Sequence, residues 1–263
     1  MSLKSFSHIL RESDHVSETN PVLLELYLIL YDMLTDDDDE LRDLAATIAS
    51  WILSCSPVSL GKTVALAAVP ACEALADFLA KNYSTSSYLF QDAINRVTGA
   101  SLYGHKLCQK DRLVAFENSL AEYRMESTVL FEEERQNLFI DDVREIDIWM
   151  RVLISLDTTT YDSQMVNCLF DWTCLGLEHL IGLASSGDHD DMLGWTSKPE
   201  VYTLGVRLFS LSSLLISRDL QLESPKLGTK AKLSEKLRTL LDKSPAISLH
   251  PHWLRRIDTA LLS

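Results

Sequence analysis

Apolar residues recur along this chain with the period of a helix. In residues 21–34, PVLLELYLILYDML, the positions Leu23, Leu26, Tyr27, Leu30 and Leu34 fall at i, i+3, i+4, i+7 and i+11. That spacing collects side chains on one face of an α-helix. Residues 41–53 repeat it with Leu41, Leu44, Ala45, Ile48 and Ile52. The same period predicts helices over 70–81, 111–124, 143–155, 162–183, 199–216, 230–242 and 251–262. Turn-type residues separate these runs at 54–59, 84–87, 156–160, 185–191 and 222–229. Ser, Gly, Pro, Asp and Thr dominate those breaks, each able to stop a helix locally. No alternating pattern long enough for a strand is present, so the expected class is all-α, with about nine or ten helices.

Helices apolar on one broad face must pack on neighbours, either as a globular bundle or as a solenoid of stacked pairs. The stretch LTDDDDELRDLAA, 34–46, bears on that choice. A calcium loop needs a glycine at its bend and a closing glutamate at the right offset. Residues 36–47 have no glycine and run straight into an apolar helical pattern. The aspartates are better read as a turn whose carboxylates cap the next helix, accepting from its orphan N–H groups and opposing its dipole. Leu34-x-Asp36-x-Asp38-x-x-Leu41-Arg42-x-x-Ala45, with Pro21 near the preceding helix start, resembles the helix-turn-helix unit of HEAT repeats. The resemblance implies an α-solenoid of HEAT/armadillo-like helix pairs, a single helical domain over 1–263 with a sub-boundary near 156–161. It also implies that Asp36, Asp38 and Arg42 bridge adjacent repeats in a ladder.

Charge refines the picture. Of 263 residues, 24 are Lys or Arg and 38 are Asp or Glu, a net charge of −14. A uniformly acidic surface repels phosphate. The distribution is uneven: residues 226–263 hold eight basic groups against three acids, a local +5 that leaves −19 for residues 1–225. Lys226, Lys230, Lys232, Lys236, Arg238, Lys243, Arg255 and Arg256 are therefore the candidate contacts for RNA or another anionic partner. The competing reading of these eight is an ordinary solvated helix surface.

Five cysteines, at 55, 72, 108, 168 and 174, form no C-x-x-C pair. Buried, reduced thiols in an intracellular protein are the expectation. No apolar run reaches the roughly 20 residues needed to cross a bilayer. The first fifteen residues lack the apolar core of a signal peptide. A soluble, cytoplasmic protein with no membrane contact is expected.

Catalytic chemistry finds little footing. Gly61-Lys62-Thr63 ends like a phosphate-binding loop, but position 56 is Ser where that loop needs Gly, and a helix precedes it in place of a strand. The nine glycines include no G-x-G, so no dinucleotide or S-adenosylmethionine fold is indicated and no cofactor is expected. Cys168 and His179 lie about 16 Å apart along one helix, too far for one ion. His189 sits among three aspartates in a glycine-containing turn, read as solvated. Glu132, Glu133 and Glu134 point about 100° apart in a helix and do not converge.

Two phrases carry a more specific likeness: LYDMLTDDDDELRDLAATIASWIL near residue 40, and LFEEERQNLFIDDVREIDIW at 130–149, with Phe131, Asn137, Leu138, Phe139 and Trp149. Together they resemble the thyroid-adenoma-associated protein family and its fungal counterparts, the non-catalytic subunits of a tRNA ribose 2′-O-methyltransferase. The resemblance covers roughly residues 20–160. It implies an α-solenoid that partners a separate S-adenosylmethionine-dependent catalytic subunit acting on a ribose at position 32 in the tRNA anticodon loop, with tRNA as a second partner. Family members are much longer, so this chain is expected to correspond to a C-terminal portion or a shortened product. The family's Arg-Arg-Ser-Ala-Gly-type motif is absent, so no functional residue carries over. The expected role is a scaffold and not an enzyme. A generic HEAT adaptor without RNA is the alternative.

Overall fold

The computed structural model describes residues 21–36, 38–55, 66–99, 142–157, 161, 163–186, 196, 199–218 and 229–262. Within them lie nine α-helices and no strand: α1 Pro21–Leu34, α2 Asp39–Cys55, α3 Ala68–Asn82, α4 Ser87–Thr98, α5 Asp142–Ser155, α6 Ser163–Ser186, α7 Pro199–Ser217, α8 Thr229–Lys243 and α9 Pro251–Leu262. A 3₁₀ turn, Pro245–Leu249, links α8 to α9. Eight predicted helices coincide with observed ones to within a few residues. Helix α4 was not expected from periodicity, and the helix predicted over 111–124 lies outside the described residues.

Helix starts follow local chemistry. Pro21 and Pro251 open α1 and α9, where a missing N–H costs no hydrogen bond and φ is already helical. Asp38 opens α2 by capping, described below.

Contacts divide the chain into two compact units, one of residues 1–93 with 137–160 and one of 94–136 with 161–263. In the first, α1, α2 and α3 pack mutually and α5 packs along α3. Tyr27 of α1 meets the ring edges of Phe78 and Tyr83, at 5.3 and 6.1 Å between centroids, near the end of α3. The Cys72 thiol, near the start of α3, reaches the Leu34 carbonyl at the end of α1, 3.9 Å away. Helices α1 and α3 therefore run antiparallel. Arg144 and Glu73 pair at 3.0 Å, and the Asp157 N–H donates to the Ser84 carbonyl at 2.9 Å. Since both contacts advance together along the chain, α5 runs parallel to α3. Tyr31 and Trp149, fully buried, bring α1 onto α5 edge to face at 4.8 Å.

The second unit is more regular. Alternate helices are neighbours, α6 with α8 and α7 with α9, while sequential pairs α6–α7 and α8–α9 close each hairpin. Lys236 donates to Glu178 and Lys243 to Ser185, both across 58 residues, so α6 and α8 run parallel in register. Trp253 against Tyr202 and Arg256 against Ser210 give the same sense to α7 and α9. Two layers of parallel helices, with each chain step crossing between them, are the packing of stacked helical repeats. Helix α7 is buried nearly all round, with Val206, Leu208, Phe209 and Leu211 at zero exposure. A helix apolar on every side belongs at the centre of such an arrangement.

Two glycines permit the close approach in this unit. A Cβ on Gly205 of α7 would fall 2.5 Å from the Trp253 ring, and one on Gly176 of α6 would fall 2.4 Å from Leu208. Trp253 also stacks on Tyr202 at 5.4 Å and 14°, and its indole N–H donates to the Tyr202 carbonyl at 3.1 Å. The buried indole thus keeps its polar handle satisfied.

Candidate functional site

The acidic turn is a capping device. The Asp38 carboxylate accepts from the backbone N–H groups of Glu40 and Leu41, at 2.9 and 3.2 Å. These are the second and third residues of α2, the donors an N-cap side chain reaches. One turn earlier the Asp36 carboxylate accepts from the Asp38 N–H at 3.0 Å, an Asx-type turn. Arg42 folds back over the same loop: its guanidinium donates to the Asp36 carbonyl at 2.6 Å and pairs with Asp39. Asp36, Asp38 and Arg42 thus meet within one turn. Asp39 and Glu40 occupy the first turn of α2, where acids oppose the helix dipole.

The eight basic candidates divide by what they touch. Lys236, 15% exposed, donates to Glu178 at 2.6 Å, and Lys243 donates to the Ser185 hydroxyl at 3.1 Å. Lys232 lies 5.8 Å over the Phe170 ring. Spaced at i, i+4 and i+11, these three share one face of α8 and line its border with α6. Arg256 donates to the Ser210 hydroxyl at 3.1 Å and to the His252 carbonyl at 3.2 Å, tying α9 to α7. Lys230, Arg238 and Arg255 are exposed. Lys226 lies outside the described residues, as do Gly61-Lys62-Thr63, Glu132–Glu134 and His189.

Arg207 is a functional-looking residue that the sequence reading missed. It is 5% exposed in α7, and one guanidinium nitrogen donates to the carbonyls of Arg96 and Val97, each at 2.8 Å. Those carbonyls belong to the last turn of α4, where unpaired C=O groups and the negative end of the dipole favour a cation. The chain leaves that turn through Gly99, at φ +74°, with the Arg207 guanidinium 3.5 Å from where a Cβ would sit. The available signal was a lone basic residue within the otherwise apolar VYTLGVRLFSLSSLLIS.

The described thiols belong to the core, while Cys108 and the Cys55 side chain lie outside the described residues. Cys72, Cys168 and Cys174 are free and buried. Burial, chiefly, with Glu145 adding to it, pushes the Cys72 thiol up to about 12. Burial also raises Cys174. A neutral buried thiol is a poor nucleophile and a poor metal ligand. Among the described residues no group of three or more His, Cys, Asp or Glu side chains could hold a metal ion. No helix there is long and apolar enough to cross a membrane.

A family model described as the Trm72 ARM-like repeat region, Trm732_C, matches residues 77–263. The chain belongs to that family. The all-α class expected from the helical periodicity, and the armadillo-like solenoid implied by the HEAT-repeat resemblance, are accordingly the family's own. The match begins inside α3, so the acidic turn and α1–α2 lie before it. The regulator of tRNA (32-2′-O)-methyltransferase, trm732, from Schizosaccharomyces pombe is 28% identical over 183 residues, covering 67% of this chain and 10% of that protein. The chain thus spans about a tenth of the length of this relative. No solved structure matches.

Proposed function

We propose that the chain is a non-catalytic scaffold or regulatory element supporting ribose 2′-O-methylation at position 32 of the tRNA anticodon loop by a separate methyltransferase. One observation carries this reading: membership of the Trm732_C family, together with the likeness to a relative named as a regulator of that methyltransferase. Regulation calls for a binding surface more than for reacting groups, and stacked helices provide extended faces for a protein partner. The proposed partner is the catalytic subunit, with tRNA as a second, in the cytoplasm and with no cofactor held by this chain. We read 1–263 as one helical domain, with Asp36, Asp38 and Arg42 in a bridging role toward a neighbouring repeat beyond the contacts within their own turn. For tRNA phosphates the proposed cations are Lys226, Lys230, Lys232, Lys236, Arg238, Lys243, Arg255 and Arg256, of which Lys236, Lys243 and Arg256 also link helices.

That dual employment favours a second reading, a helical-repeat adaptor with no RNA role. Lys236, Lys243 and Arg256 already have protein partners, and the −14 net charge repels phosphate at long range. Nucleoside mass spectrometry of tRNA from cells lacking this gene separates the two. Loss of 2′-O-methylribose at position 32, restored by the gene, is expected. Unchanged modification would leave the adaptor.

A further inference from the structure

The α1–α2 hairpin carries large apolar side chains that are exposed or half-buried. In α1, Val22, Leu26, Ile29 and Met33 follow i, i+4, i+7 and i+11, within about 60° of one another around the helix. Val22 is 60% and Ile29 47% exposed, and the other two are half-buried. The opposite face of the same helix is buried through Leu24, Tyr27, Leu30, Tyr31 and Leu34. Helix α1 is therefore apolar almost all round, as expected of a helix with neighbours on every side. Helix α2 repeats the arrangement. It packs inward through small residues, Ala45, Ala46 and Ala49, all at 3% exposure or less. Its bulky Leu41, Leu44, Ile48 and Trp51, spaced i, i+3, i+7 and i+10, stay partly or largely exposed.

The border of these rows is acidic. Residues 21–55 contain eight acids and one base, Arg42, which is bound into the turn. Glu25, Asp36, Asp39, Glu40 and Asp43 are exposed. An RNA backbone or an anionic lipid surface would be repelled there. An occupant must bring apolar side chains and positive charge together.

We infer that the α1–α2 hairpin is a docking surface for an amphipathic helix of a partner protein, whose apolar stripe seats on these rows and whose flanking Lys and Arg residues meet the acidic border. This is the helix-in-groove mode of recognition, with anchors at i, i+3 or i+4 and i+7. The inference stands apart from the tRNA reading: the hairpin precedes the family match, and its charge is the opposite of what RNA requires.

The probe is a fluorescein-labelled 14-residue Leu/Lys amphipathic helix, titrated with the full chain at about 150 mM salt, where exposed charge alone is strongly screened. A Leu/Glu helix of the same pattern is the control. Saturable binding of the Leu/Lys helix only is expected, weakened at least tenfold by the charge-neutral pair Ile29→Asn and Leu44→Asn, with helical circular dichroism unchanged. Leu249→Asn, at a 49% exposed leucine in the other unit, should leave binding intact. Equal binding by wild type and the double variant would reduce the effect to charge and overturn the inference. Self-association of the wild-type chain that Ile29→Asn and Leu44→Asn abolish would overturn it too, by making a second copy the occupant. In cells, benzoylphenylalanine at position 29 should crosslink to a peptide of another protein with Lys or Arg beside apolar residues three and four apart. A crosslink to residues 1–20 of the same chain would show the surface to be covered from within.

Discussion

In residues 163–262 alternate helices run parallel, whereas in residues 21–82 the neighbouring α1 and α3 run antiparallel. The consequence is visible in where bulky side chains end up. With a fixed register, each turn of α8 meets the corresponding turn of α6, and the ion pair, the hydroxyl contact and the cation–ring contact fall in one row. Helix α7 is enclosed by α6, α8 and α9, so its apolar surface is used on every side. The α1–α2 hairpin has the same apolar richness but fewer neighbours, and two rows remain open. Regular stacking thus uses apolar side chains and several basic ones between helices, and interruption of the pattern leaves bulky apolar side chains exposed.

The largest test of the regular unit is Trp253→Ala. The indole is fully buried against Tyr202, Phe209 and Gly205. Its removal opens a cavity between α7 and α9 and should cost about 3–5 kcal/mol. Chemical denaturation would measure the loss, and hydrogen exchange should show it concentrated in α7 and α9 and small in α1–α3. Next comes Arg207→Ala, which leaves two carbonyls of the α4 terminus without their charged donor. A loss of about 2–3 kcal/mol is expected, because charge-assisted bonds to buried groups exceed the neutral average. Faster exchange of the amides near Thr98 would mark the site.

The irregular unit carries a pH signature. Cys72 has its folded pKa raised from 9.0 to about 12, mostly by burial. A raised acid holds its proton more tightly when folded, so its contribution is complete below pH 9 and fades as pH rises toward 12. The wild-type chain should therefore lose stability above pH 9 more steeply than Cys72→Ala, by about 2 kcal/mol between pH 9 and 10.5. Comparing the two slopes removes the constant cost of the lost sulfur. Smaller still is Asp38→Ala, which frees the N–H groups of Glu40 and Leu41 and should cost about 1 kcal/mol. Asp38→Asn should recover most of it, since an amide oxygen caps nearly as well.

These residues differ in how far the sequence exposes them. Asp38 was readable because capping acts over two or three positions, and the apolar period fixed eight helices because each turn repeats it. Helix α4 escaped: its buried Leu89, Phe90, Ala93, Ile94 and Val97 do follow helical spacing, but only across 12 residues rich in β-branched and aromatic types, whose helix preference is weak. Arg207 escaped for another reason, since its partners lie 110 and 111 residues away. A charge count likewise locates cations without saying which are already engaged, and Lys236 and Glu178 are 58 residues apart. Family likeness was legible in phrases over residues 20–160, while the family match spans 77–263, because degenerate helical repeats carry little local signature.

Lys236→Met gives the smallest effect and the sharpest test of register. Its partner Glu178 is 52% exposed, so solvent screens the pair, and the loss should be about 0.5 kcal/mol or less. Methionine keeps the aliphatic stem packed along α6 while removing the charge. If the pair merely decorates a border set by Leu233, Leu237 and Leu240, all fully buried, the deficit should shrink further in 1 M salt, where the Debye length falls to about 3 Å. A salt-independent loss above about 1.5 kcal/mol would mean the opposite, that the ion pair and not the leucine row holds α8 at its offset on α6. In that case Glu178→Gln should cost as much, and the double variant no more than either alone.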